Sequence, residues 1–334
     1  MSVTFDAIRD ASRRLDGKSV RTPILESPLL NERLGCRVLV KAENLQLTGS
    51  FKFRGAYNRI SQLDPDILKL GVVAYSTGNH AQGVAAAARA AGTQAVIVIP
   101  KDAPEIKKQN TAAWGAELAF YDRDTEDRVA LAERIARERG GAALVPPYDH
   151  EEVIIGQGTI GIEIIAQTAA MGVRPDAVII PCGGGGLTAG ISTAIKGIAP
   201  DIDIFMAEPA AYDDTCRSLT AGKRLGVDLS PGHATTFCDA LTAPMPGEIT
   251  FPINQRNVAG VIALDDNAVC RGIYAAFADL KIVLEPSGAI ALAAVVTGAL
   301  AAERDLKGKT VVVVASGGNV DPATFSDALK RGAA

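Results

Sequence analysis

Lys52 stands in the run Leu47-Thr48-Gly49-Ser50-Phe51-Lys52-Phe53-Arg54-Gly55-Ala56, between two aromatic rings and among small residues. It follows a strand-like stretch at 36–43 and a polar turn, and it opens a helix-like stretch. A lysine held in an apolar pocket gives up its proton more readily, and its free amine can form a Schiff base with an aldehyde. An exposed lysine in the first turn of a helix would show the same local pattern. Lys52 alone therefore leaves both readings open.

Three further segments carry chemistry at one kind of place, the junction from strand to helix or turn. In Pro181-Cys182-Gly183-Gly184-Gly185-Gly186-Leu187, four glycines follow an apolar strand and precede a helical run. Their backbone N–H groups are unobstructed and sit at a helix N-terminus, where the dipole favours an anion. The spacing is neither GxGxxG nor GxxxxGK[ST], so a small phosphate-bearing cofactor fits better than a dinucleotide. In Ser76-Thr77-Gly78-Asn79-His80-Ala81-Gln82-Gly83, two hydroxyls, an amide and helix-start N–H groups suit a carboxylate or a polar cofactor substituent. Ordinary capping by Ser76 or Thr77 accounts for part of that pattern, and His80 reads by itself as structural. In Val313-Val314-Ala315-Ser316-Gly317-Gly318-Asn319-Val320-Asp321, Ser316 falls at the carboxyl end of a strand, where open α/β sheets place ligand contacts.

The elements that must position these residues alternate along the chain. Strand candidates occupy 71–77, 94–100, 117–122, 177–182, 202–208 and 310–316. Helix candidates occupy 79–91, 104–113, 125–139, 156–170, 186–197 and 286–302. Several strands are near-continuous Val/Ile/Ala runs, as expected when helices cover both faces of a mostly parallel sheet. The class is α/β. Residues 220–260, rich in Pro, Gly and Thr, read as one long irregular loop.

Composition narrows the partners. Net charge is −4 with no basic block, which argues against nucleic acid. Apolar runs are strand-length or interrupted, so no membrane span is expected. The start of the chain is polar, without the apolar core of a secretory signal. The five cysteines show no CxxC spacing and read as reduced thiols, so a cytoplasmic location is expected.

With Lys52, the Asn79 loop, the glycine run and Ser316 in this order, the chain resembles pyridoxal 5′-phosphate enzymes of the tryptophan-synthase-β type (fold type II). Within them it resembles the threonine/serine dehydratase and serine racemase group. The resemblance spans 22–321 and implies two domains. Residues 1–60 and 148–334 would form the larger, and 61–147 a smaller α/β domain inserted in it.

The resemblance also implies roles. Lys52 would hold the cofactor as a Schiff base and then act as Cα base, with Phe51 against the pyridine ring. Gly183, Gly184, Gly185, Gly186 and Leu187 would bind the phosphate, Asn79 the ring's 3′-oxygen, and Ser316 would face the ring nitrogen. Ser76, Thr77, Asn79 and His80 would surround the substrate carboxylate. The family's metal position is matched by Glu208-Pro209-Ala210-Ala211-Tyr212-Asp213-Asp214. There Glu208 and Asp214 would give carboxylates and Tyr212 a carbonyl, an oxygen set for Mg²⁺, or for Ca²⁺ or Mn²⁺. A homodimer is implied as well.

The activity implied is dehydration of a β-hydroxy amino acid (threonine, serine or 3-hydroxyaspartate) to a 2-oxo acid and ammonia. A serine- or aspartate-type racemase with dehydratase side activity is the alternative, because Thr77 carries a hydroxyl where many dedicated dehydratases have alanine. Ala240 departs from the racemase pattern, which has glycine there. Phe53-Arg54 after the lysine differs from the Asp-Arg of cysteine synthase-like members. The short stretch after Asp321 leads us to expect no C-terminal regulatory domain. A ligand sensor on the same fold is disfavoured by the joint presence of Lys52, Asn79 and Ser316. Arg128 either reaches a second substrate carboxylate, if its helix borders the cleft, or pairs with acids on the helix surface.

Overall fold

The computed structural model describes residues 2–76, 78–103, 105–228, 230 and 235–333. Among these, ten strands form two sheets: β1 (Ile24–Glu26), β2 (Arg37–Ala42), β3 (Val72–Tyr75), β4 (Ala95–Pro100), β5 (Glu117–Tyr121), β6 (Ala143–Leu144), β7 (Ala177–Pro181), β8 (Asp203–Pro209), β9 (Gly260–Leu264) and β10 (Thr310–Ala315). One sheet runs β1-β2-β10-β7-β8-β9 and the other β5-β4-β3-β6. All pairings are parallel except β1 with β2. The central strands are buried on both faces, save Thr310 at the start of β10, which is why they read as unbroken apolar runs rather than alternating ones.

Strand order brings the motifs together. β2, β10 and β7 are neighbours and parallel, so their carboxyl ends lie side by side on one edge. Those ends lead into the Lys52 segment, Ser316 and the glycine run, respectively. The Ser76 loop arrives from the other sheet, at the end of β3.

Two helices fix the glycine run from behind. Glu151–Ala170 packs against Gly186–Ile198, whose first residue ends the run. A Cβ at Gly190 would fall 2.3 Å from the Ile154 carbonyl oxygen and 2.6 Å from the Gly158 nitrogen, so only glycine allows this approach. Glu151–Ala170 is long and apolar enough to cross a membrane by length and composition, but most of its apolar window is buried within the protein.

The structure corrects several expected boundaries. The helix expected from 156 starts at Glu151, because the His150 ring accepts the Glu152 amide at 3.2 Å. Gly156, Gly158 and Gly161, inside the expected helix, let neighbouring elements approach it closely. The helix expected over 286–302 is two, Pro286–Val296 and Ala299–Glu303, divided where Gly298 takes φ +77°. Within 220–260, helix Thr250–Asn257 interrupts the expected loop. That helix supports the glycine run.

Candidate active site

The segment carrying Lys52 is sewn onto the end of β10. Phe51 donates its amide to the Ser316 carbonyl at 3.1 Å, and Gly318 donates to the Gly49 carbonyl at 2.9 Å. The Asn319 side chain donates to the Thr48 carbonyl at 2.7 Å. Thr48 itself holds φ +67°, a left-handed conformation uncommon for a non-glycine residue, which these contacts maintain. Lys52 then begins the helix Lys52–Ile60.

That helix is anchored by a buried ion network that sequence reasoning missed. The Arg54 guanidinium is fully buried. It reaches both Glu43 oxygens at 2.8 and 2.9 Å and both Glu163 oxygens at 2.6 and 3.0 Å. Lys41, also fully buried, donates to Glu163 at 2.5 Å and to the Thr22 carbonyl at 2.7 Å. A bidentate arginine fixes direction as well as distance. The network lies two residues from Lys52 and sets how its helix starts.

The Lys52 amine donates to the Pro147 carbonyl at 2.7 Å and lies 5.1 Å from the centre of the Phe51 ring. Burial pulls its pKa down to about 8, against the opposing charge of Glu285. It faces a cavity of about 530 Å³ also lined by Asn79, His80, the glycines at 183–186, Leu187 and Ser316. The sequence-derived residues therefore meet in one place. Thr77 lies outside the described residues.

The glycine run is shaped from one side. Thr250 donates to the Gly184 carbonyl at 2.6 Å, and Asn254 to the Gly185 carbonyl at 3.1 Å. These contacts hold the carbonyls away from the cavity and leave the amides for a ligand. A Cβ at Gly184 would fall 2.3 Å from ring carbons of Tyr148, and Gly185 takes φ +89°. The chain thus has a preformed anion cradle whose supports leave no room for side chains on the glycines at 184–186.

Asn79 opens the helix Asn79–Ala91, and both ends of its amide are engaged. Its Nδ2 donates to Glu285 Oε1 at 2.5 Å, and its Oδ1 accepts from Asn319 at 2.7 Å. One Nδ2 hydrogen is left for the cavity. Burial, reinforced by Asp239, raises the Glu285 carboxyl to about 8. Glu285 was not singled out from sequence; a lone acid heading the uncharged, mostly apolar helix Pro286–Val296 was the available signal.

His80 is a neutral imidazole. Burial and the nearby Lys52 charge bring its pKa down to about 3, and its Nε2 lies 2.7 Å from the Val145 carbonyl. A carbonyl only accepts, so Nε2 carries the proton and Nδ1 is left as an acceptor. The Ser76 hydroxyl accepts the Gly78 amide at 3.2 Å. Arg128 lines the cavity, its guanidinium 5.7 Å from the centre of the Tyr75 ring. Its helix does border the cleft, and among the described residues it forms no ion pair. Across the cavity, Lys107 pairs with Asp239 at 2.6 Å.

Around the expected metal position, Glu208 accepts the Cys216 amide at 2.8 Å and the Thr215 amide at 3.3 Å. Asp214 is buried, and its Oδ2 has no hydrogen-bond partner. Burial raises Glu208 to about 8 and Asp214 to about 7. Among the described residues no three His, Cys, Asp or Glu side chains form a metal-holding group, so a cation here would also need backbone and water oxygens.

Comparison with known proteins agrees with this geometry. The profile of the family described as "Pyridoxal-phosphate dependent enzyme" matches residues 16–317. The chain belongs to this family. Among its relatives, the L-threo-3-hydroxyaspartate ammonia-lyase of Saccharomyces cerevisiae is 38% identical over 323 residues, covering 97% of this chain and 95% of the relative. The serine racemase of Schizosaccharomyces pombe is 36% identical over 330 residues, covering 98% of each. Among solved structures, the maize serine racemase superimposes with a TM-score of 0.90 at 35% identity, covering 99% of this chain and 98% of that one. A threonine deaminase superimposes with a TM-score of 0.87 at 41% identity, covering 95% of this chain and 99% of that one. The fold is thus the two-sheet α/β arrangement of the pyridoxal-phosphate-dependent enzymes, and the glycine cradle, the perturbed lysine and Ser316 fit that cofactor.

Proposed function

We propose that this enzyme is an ammonia-lyase that converts a β-hydroxy amino acid, namely threonine, serine or 3-hydroxyaspartate, to a 2-oxo acid and ammonia. The observation that carries the reading is the Lys52 amine, with its pKa lowered to about 8, facing the glycine cradle, Asn79 and Ser316 across one cavity. The names of the ammonia-lyase and deaminase relatives support it.

The amides of the glycines at 183–186 and of Leu187 would take the cofactor phosphate, Asn79 Nδ2 the 3′-oxygen, the Ser316 hydroxyl the ring nitrogen, Lys52 the aldehyde carbon and Phe51 the ring face. When bound, the cofactor supplies the electron sink for the pair left at the substrate's Cα. The remaining work belongs to the chain. With a pKa of about 8 rather than the ordinary 10.5, about a tenth of Lys52 is free amine at pH 7, so Nζ can accept the Cα proton, with Pro147 fixing where it waits. An alcohol such as Ser316 is too weak an acid to give the ring nitrogen a full proton. The pair at Cα is therefore drawn toward prompt expulsion of a β-leaving group, which favours elimination over racemisation.

Backbone N–H groups at the start of helix Asn79–Ala91, with Ser76, Asn79, His80 and Thr77, would take the substrate's α-carboxylate. Arg128, which lines the cavity, would take a second carboxylate, and that would favour 3-hydroxyaspartate within the substrate class. The smaller domain, residues 61–147, would close over the substrate and exclude water. Glu208, Asp214 and the Tyr212 carbonyl would hold Mg²⁺, or Ca²⁺ or Mn²⁺. The support is the unpartnered Asp214 oxygen beside a second buried carboxylate. We further take the enzyme to be a cytoplasmic homodimer.

The test is a substrate panel with the holoenzyme. Stereoisomers of serine, threonine and 3-hydroxyaspartate are assayed for 2-oxo acid, with chiral chromatography of the residual amino acid. Ammonia and 2-oxo acid from at least one member are expected; inversion of configuration without 2-oxo acid would overturn the reading. For the metal, Mg²⁺ added after chelation should raise the melting temperature, and an unchanged melting temperature would count against the site.

A further inference from the structure

Expelling hydroxide from an amino acid's β-carbon requires a proton for the departing oxygen, and Lys52 is already committed to the Cα proton. The other groups lining the cavity narrow the choice of donor. His80 has its single N–H directed at Val145, and Lys107 is paired with Asp239. Tyr148 is different. Its ring is wedged against Gly184, and its backbone carbonyl and Cβ lie against Gly186, in space that exists only because those residues lack side chains. Its hydroxyl forms no hydrogen bond among the described residues, and the residue lines the cavity. The preceding residue, Pro147, receives the Lys52 amine, so base and phenol approach the same space from one short segment.

We propose that Tyr148 is a further catalytic residue, whose hydroxyl gives its proton to the β-oxygen as that oxygen leaves. The proposal rests on the β-hydroxy amino acid reading above. The step balances without a co-reactant. Lys52 Nζ takes the Cα proton, the Cα–H electron pair becomes the second bond between Cα and Cβ, and the Cβ–O pair departs with oxygen. That oxygen takes the Tyr148 proton and leaves as water. The Lys52 ammonium then returns a proton to the phenolate through water in the cavity. Burial, with Asp149 and Tyr75 nearby, raises the Tyr148 phenol above its ordinary value, so it is protonated and ready to donate at neutral pH.

The test uses Tyr148→Phe holoenzyme, which keeps the ring wedged against Gly184. Turnover is compared on a β-hydroxy substrate and on β-chloro-L-alanine, whose chloride leaves without a proton, and pyridoxal phosphate affinity is measured by fluorescence titration. The expected result is a loss of roughly 10²-fold or more in kcat/KM on the β-hydroxy substrate, in the range of a general acid. Chloride elimination and cofactor affinity should be preserved. Equal losses on both substrates, a fall in cofactor affinity, or no loss on the β-hydroxy substrate would each overturn the role. A wild-type enzyme that eliminates chloride but dehydrates no β-hydroxy amino acid overturns the parent reading, a result seen before any variant is made.

Discussion

Asn79 Nδ2 donates to Glu285 Oε1 at 2.5 Å, joining residues 206 apart in sequence. With Asn319 on its other end, the Asn79 amide is held in one orientation, its remaining hydrogen toward the cavity. Glu285→Ala should leave a buried donor unpaired. The usual cost, about 1–3 kcal/mol, corresponds to roughly a 5- to 150-fold loss in cofactor affinity if borne wholly by binding. Glu285→Gln, which still offers an acceptor, should lose less; equal affinity of wild type and Glu285→Ala would refute the constraint.

The same carboxyl makes a pH prediction. Its folded pKa is raised from 4.5 to about 8, so between those values the folded state binds more protons than the unfolded. Stability from this group is full below about pH 4.5 and falls as pH rises toward 8. Glu285→Gln removes that dependence. The melting temperature of Glu285→Gln minus that of wild type, both cofactor-free, should grow from pH 5 to pH 8; a flat difference would contradict it.

Gly184→Ala places a methyl 2.3 Å from the Tyr148 ring. Overpacking of this kind costs about 1–3 kcal/mol, and relief by moving the ring or the loop should misalign the anion cradle. A lower melting temperature together with weaker cofactor binding is expected. Unchanged cofactor titration would mean that the cradle tolerates a side chain.

Arg54→Met leaves the buried Glu43 carboxylate and the half-buried Glu163 carboxylate without their main counter-charge. Removing one partner of a buried ion pair costs about 3–5 kcal/mol. Urea unfolding of the cofactor-free protein should show a loss of that size. A loss below about 1 kcal/mol would place the pair in the class of surface ion pairs.

Arg128→Gln separates substrates by charge. If Arg128 receives a second carboxylate, kcat/KM for 3-hydroxyaspartate should fall by about 10- to 100-fold, the worth of one charge-assisted hydrogen bond. Values for serine and threonine should be unchanged. Parallel losses on all three would make Arg128 a structural neighbour of Tyr75.

Lys52, Asn79, the glycines at 183–186 and Ser316 were legible in the sequence because each announces itself locally. Glycine runs, small polar loops and strand ends carry their chemistry in residue type and spacing. The parallel α/β class was legible for the same reason, since strands buried on both faces read as unbroken apolar runs. Helix limits were less so: Gly156, Gly158 and Gly161 look alike whether they break a helix or let two helices touch.

Glu285, Tyr148, Asn319 and the Arg54 network became visible only in the tertiary structure. Each acts through a partner far away in sequence, and a lone acid or tyrosine has no periodic signature. The sequence by itself determined which groups could bind a phosphate and carry a carbonyl cofactor. The adjacency of β2, β10 and β7 decided that they meet, because parallel strands place their carboxyl ends on one edge. Burial, which exists only once the chain is folded, lowered the pKa of Lys52 and raised that of Glu285.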